Sequence, residues 1–142
     1  MKRQIKTIGW IITLLIGLTA CQSSDKQQDD DSAQLQRVTL GARSYWLALP
    51  QQYQPADSYK LLLAFHPSGG SGKGMQSFSH FEKISDDYIV AYPDSEQVEW
   101  NEGCGCNIAH RKNVDDLGFV DAVIADIRSR YQIIDGEIYA AG

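Results

Sequence analysis

Apolar and polar residues alternate in several distinct rhythms along the chain. From Arg37 to Leu40 they alternate one by one, Gly41-Ala42 interrupts, and Ser44 to Leu49 continues with Tyr45, Trp46 and Leu47. Period-two alternation around a turn signal predicts a β-hairpin at a sheet edge. Pro50 ends it, because proline cannot donate to a strand ladder. Leu61 to Phe65 is continuously apolar, as is Tyr88 to Tyr92, which Pro93-Asp94 stops. Short apolar runs bounded by turn signals suit strands buried on both faces of a parallel sheet. Between them lies the glycine-dense loop Gly69 to Gly74, followed by a predicted helix with Met75, Phe78, Phe81 and Ile84 or Ser85 near one face. After an irregular stretch, Ser95 to Asn113, a second helix is predicted. Asn113 reads as its N-cap, and Asp115 and Asp116 lie in the first turn, where a helix favours negative charge. Leu117, Val120, Val123, Ile124, Ile127 and Tyr131 recur at helical spacing. A loop from Gln132 to Gly136 then leads to a third strand, Ile138 to Ala141. The order is a leading β-hairpin, then β-α-β-α-β, which is the doubly wound α/β pattern.

The first 36 residues change the domain count. Residues 1–20 have basic Lys2, Arg3 and Lys6, an uncharged run from Thr7 to Ala20, and small residues before Cys21. Those are the parts of a secretory signal, and the run is too short for a spanning helix of roughly 20 apolar residues. Leu18-Thr19-Ala20-Cys21 resembles a bacterial lipobox. That implies cleavage before Cys21, its lipidation, and a stable anchor to a membrane once two or more acyl chains are attached. An ordinary signal peptide beside an incidental cysteine is the plainer alternative. Residues 21–36 are rich in Gln, Ser and Asp and read as a flexible linker. The folded domain is expected at 37–142. The leader holds three of the 13 Lys and Arg residues and none of the 18 Asp and Glu residues, leaving a net charge of −8 on the exported part. That argues against a nucleic-acid partner, whose phosphates demand a basic patch.

Cys104 and Cys106 remain once Cys21 is set aside. Cysteines of exported proteins tend to be oxidised. A bridge between residues two apart is uncommon, and each cysteine has the option of another partner. With His110 they also make three potential metal ligands, but the spacing matches no standard zinc pattern, so no metal and no cofactor are expected.

Several segments carry a family resemblance. They are Leu63-Ala64-Phe65-His66-Pro67-Ser68-Gly69-Gly70, Tyr92-Pro93-Asp94 with Trp100 after it, and Val114-Asp115-Asp116-Leu117-Gly118-Phe119-Val120, the most specific. Together they resemble the polyhydroxybutyrate depolymerase and feruloyl esterase family of secreted α/β-hydrolases. The pair Cys104 and Cys106 resembles a cysteine-containing loop of that family. Ile138 to Gly142 resembles its strand running into the first glycine of Gly-x-Ser-x-Gly, the strained turn that presents a serine nucleophile. The resemblance covers Arg37 to Gly142. It implies the N-terminal half of an α/β-hydrolase sheet and hydrolysis of carboxylic esters, either polyhydroxyalkanoates or feruloylated polysaccharide, through a serine acyl-enzyme. The nucleophile is expected two residues after Gly142, and the acid and histidine later still, so no catalytic triad is expected within these residues.

His66, Pro67, Ser68 and Gly69 are then oxyanion-loop candidates, with a backbone N–H aimed at the substrate oxygen. A tight turn that needs glycine for its dihedrals is the plainer reading, and for His66 the plainer one is ordering the loop through backbone hydrogen bonds. Pro67 departs from the family, which usually has glycine there. Trp100 is a substrate-pocket candidate or an aromatic lid over core. Ser68 and Ser71 lie near His66 but lack a rigid elbow, so a substitute triad is not expected. His80 is expected on a solvated helix face and His110 in a surface loop. The leading expectation is an exported, lipid-anchored esterase fragment, inactive and poorly soluble alone. The competing one is a non-catalytic lipoprotein module binding a glycan, polyester or protein.

Overall fold

The computed structural model describes residues 35–142. The leader, Cys21 and most of the linker lie outside the described residues. Five strands form one mixed sheet: β1 (Leu35–Leu40), β2 (Arg43–Ala48), β3 (Tyr59–Ala64), β4 (Tyr88–Pro93) and β5 (Ile133–Ala141). Their spatial order is β1-β2-β4-β3-β5. β1 and β2 form the antiparallel hairpin, and β2 lies antiparallel to β4. β3 runs parallel to both β4 and β5. Three helices accompany them: α1 (Gly72–Ser79), the single-turn α2 (Ile108–Arg111) and α3 (Asp116–Arg130), with a 3-10 turn at Phe81–Lys83. Among these residues no helix is long and apolar enough to cross a membrane.

The buried strands fill two cores, one per sheet face. Tyr45, Leu47, Leu61, Leu63, Ile89 and Ala91 meet Phe119, Val123 and Ile127 of α3. On the other face Ala48, Ala64, Val90 and Tyr92 meet Met75 of α1. Leu61 and Ile89 are fully buried, each stabilising the fold by about 1.5–3 kcal/mol relative to exposure. The Tyr45 hydroxyl crosses to α3, where it meets Asp126 and Arg130.

Four details differ from the sequence pattern. β1 starts at Leu35, inside the expected linker, because Leu35 pairs with Ala48 and packs on the α1-side core. The first helix stops at Ser79, since His80 takes a left-handed conformation (φ 45°) and its N–H closes on Gln76 O. Phe78, within α1, lies on its outer face, and Ile84, beyond the break, is exposed as well. α3 is capped by Asp115, whose Oδ1 accepts from Gly118 N at 2.9 Å, not by Asn113, which is left-handed at φ 49°. Its buried stripe runs through Asp116, Phe119, Val123 and Ile127, leaving Leu117 exposed. Finally, Ile133 to Gly136 is strand, not loop, reaching Tyr59 through a register irregularity before Leu61.

Candidate active site

The loops after β3 and β4 and the end of β5 emerge at one end of the sheet, the carboxyl end of the parallel strands, where open α/β sheets bind ligands. The β3–α1 loop contains a tight turn. Gly70 N donates to Pro67 O at 2.9 Å, and Gly69 at its third position has φ 79°. That dihedral is the glycine-demanding one of a type II turn. Pro67 suits the turn, since only its carbonyl is used.

His66 is buried beneath this turn, 3% exposed. Its Nδ1 lies 2.8 Å from Pro67 O, and its Nε2 accepts from Ser95 N at 3.2 Å. The carbonyl at Nδ1 requires a donor and the N–H at Nε2 requires an acceptor, so the ring is the neutral Nδ1–H tautomer. Trp100 Nε1 donates to His66 O at 2.9 Å, and its ring packs on both Phe65 and His66, centroids 5.2 and 5.0 Å away. Histidine and indole therefore tie the β3 loop to the β4 loop.

The amides of the oxyanion-loop candidates are unequal. Gly69 N donates to Val98 O at 2.7 Å and Gly70 N to Pro67 O. Pro67 has no N–H. Ser68 N donates to nothing among the described residues, and Ser68 is exposed. Ser71 Oγ caps α1 by accepting from Gly74 N at 3.0 Å. Neither serine is paired with His66.

Beside the turn lies an open cleft of about 350 Å³, lined by Arg37, Ser44, His66, Gly70, Ser71 and Asp94 among others. The Asp94 carboxylate accepts from Gly72 N at 2.8 Å and from Ser44 Oγ at 3.0 Å. It therefore occupies the positive end of α1 itself. Arg43 forms a buried ion pair with Asp116 at 2.7 Å and stacks over Phe119. Asp115 caps and Asp116 is paired, so neither is free for acid–base work.

The remaining candidates sit apart. Cys104 and Cys106 are joined by a disulfide in an exposed loop, so their sulfurs are not metal ligands. Among the described residues no group of three or more His, Cys, Asp or Glu is placed to hold a metal ion. His80 caps α1 and its Nδ1 lies 3.3 Å from Glu82. His110 is in α2, with Nδ1 3.2 Å from Asn101 Oδ1. Asp94 and Arg43 were not singled out by sequence. Tyr92-Pro93-Asp94 placed Asp94 at a strand end, but nothing local signalled that it would meet Gly72.

Gly142 packs against Phe65: a Cβ there would lie 3.1 Å from Phe65 O. β5 thus ends alongside the residue that opens the His66 loop. No protein-family model and no curated protein sequence matches the chain. Solved structures do. A CE1 ferulic acid esterase from Anaeromyces mucronatus, in complex with ferulic acid, superposes with a TM-score of 0.53 at 14% identity over 75% of this chain and 47% of that one. A thermostable esterase gives a TM-score of 0.53 at 16% identity over 75% of this chain and 33% of that one. The fold is esterase-like. The chain spans less than half the length of either esterase, so what it contains is part of a hydrolase-like domain.

Proposed function

We propose that these residues are the N-terminal part of an exported carboxylic-ester hydrolase of the polyhydroxybutyrate depolymerase and feruloyl esterase type, anchored to a bacterial membrane through lipidated Cys21. The observation that carries this reading is the parallel β3–β5 pair, which sets Gly142 against Phe65 at the mouth of the β3–α1 loop. In α/β-hydrolases the nucleophile follows such a strand, and one oxyanion donor comes from the β3–αA loop. Ser68 N–H is the loop amide left over for that donor, worth about 3 kcal/mol to the transition state. Trp100 and His66 hold it in place and take no part in proton transfer. The serine nucleophile, its acid and its base are supplied by residues following Gly142, and the substrate is an ester of a hydroxyalkanoate or of ferulate.

The nucleotide sequence after codon 142 is the first test: x-Ser-x-Gly in any frame supports the proposal. A chain extended through that segment is expected to hydrolyse p-nitrophenyl acetate, with methyl ferulate and short-chain polyhydroxybutyrate separating the two ester classes. The unextended chain is expected to show no turnover above background. Unrelated following sequence, with binding but no hydrolysis, favours a glycan- or polyester-binding lipoprotein module instead.

A further inference from the structure

The loop at Cys104 to Cys106 has no part in the ester chemistry proposed above and has chemistry of its own. The two cysteines are separated by Gly105 alone, both are exposed, and their Cα atoms lie 5.3 Å apart across the disulfide. Gly103 and Gly105 are both left-handed, at φ 73° and 72°. The base of the loop is fastened by groups that do not involve sulfur. Asn107 Nδ2 donates to Trp100 O at 2.7 Å, Asn101 N to Asp116 Oδ2 at 2.6 Å, and Asn101 Nδ2 to Val114 O at 2.9 Å. At the tip, Cys106 N lies 3.3 Å from Cys104 Sγ.

A cross-link stabilises a fold according to the length of chain it closes. This one closes a single intervening residue, so it contributes little to the fold. Coupling is reciprocal, and the fold therefore gives little protection to the bond. Exposed disulfides of this kind are the labile ones, whereas structural disulfides resist the glutathione pool.

We propose that Cys104–Cys106 is a thiol–disulfide exchange site for low-molecular-weight thiols. A small-molecule thiolate attacks one cysteine sulfur. The S–S bond breaks, a mixed disulfide forms, and the other cysteine leaves as a thiolate that takes up a proton. A second small thiolate attacks the small-molecule sulfur of the mixed disulfide. That step releases the small-molecule disulfide and the second cysteine thiol. Two electrons pass from two small thiols to the protein, and the reaction is reversible.

The test uses the full chain under native conditions. It is incubated with excess reduced glutathione, quenched with iodoacetamide and mapped by peptide mass, which keeps Cys21 separate. Both Cys104 and Cys106 are expected to be alkylated with no change in the melting midpoint. A bond that stays closed until denaturant is added overturns the proposal. In a second measurement, Cys106→Ser is incubated with oxidised glutathione and is expected to gain one glutathione at Cys104. Absence of that adduct in a variant that melts like the parent also overturns it.

Discussion

Both ring nitrogens of His66 are spent on backbone groups of two different loops, so a residue type that advertises proton transfer serves as a strut. Sequence reading placed it in the right loop and allowed the strut role. It could not supply the partner, because Ser95 is 29 residues away. Gly72 was harder to read. Its N–H binds Asp94, and a methyl group there would press into the Tyr92 carbonyl oxygen. Gly72→Ala is therefore expected to destabilise the domain by about 1–3 kcal/mol, as overpacking does, measured by urea titration. Glu82 supplies a pH dependence. Burial pushes its carboxyl up, but hydrogen bonds from Tyr92 and Gln76 outweigh burial and hold it below its ordinary value of 4.5. A carboxyl depressed in the fold contributes stability above its unfolded-state value and loses it as pH falls through the lower folded-state value. Melting midpoints are expected to fall as pH drops below 4.5, the ordinary value from which Glu82 is lowered. In Tyr92→Phe, which removes the main donor, that acid-side slope should flatten. An unchanged slope would exclude Glu82 as its source.

At the scale of elements, apolar period identified every strand and both longer helices, and polar geometry decided where they begin and stop. Asn113 and Asp115 both qualify as N-caps by type. Asp115 holds the position because Asn113 is turned into the left-handed region before the helix starts. Asp115→Ala is expected to cost about 1 kcal/mol, whereas Asn113→Ala should be destabilising through its positive φ alone. Comparing the two by chemical denaturation, with Asn113→Gly as the tolerated control, assigns the cap. Phe78, Ile84 and Leu117 show the limit of counting apolar residues. Each fits a helical stripe on paper, yet each is more than 70% exposed. His80 closes α1 on Gln76 O in a left-handed conformation, and the α3 stripe takes Asp116 and Phe119 in place of Leu117 while keeping Val123 and Ile127, details that apolar spacing does not encode.

Across the whole molecule, the parallel trio β4-β3-β5 was legible from three apolar runs separated by helical patterns. The placement of β2 beside β4 was not, because antiparallel docking of a hairpin leaves no local mark. β5 pairs with β3 and is the end strand of the described sheet, nine residues long, with Ile134 and Tyr139 exposed. A long edge with unpaired backbone groups is a template for association. The chain as given is expected to self-associate with rising concentration in sedimentation velocity runs, and a monomer throughout would contradict that. The described residues also include a ready fluorophore. Trp100 is bonded through its indole to the His66 carbonyl and packed edge-on against Phe65, whereas Trp46 lies under Lys73 on the other core. His66 lines the cleft beside the turn and Trp100 packs behind it, so a molecule that enters there and shifts His66 is expected to change the indole emission without any label.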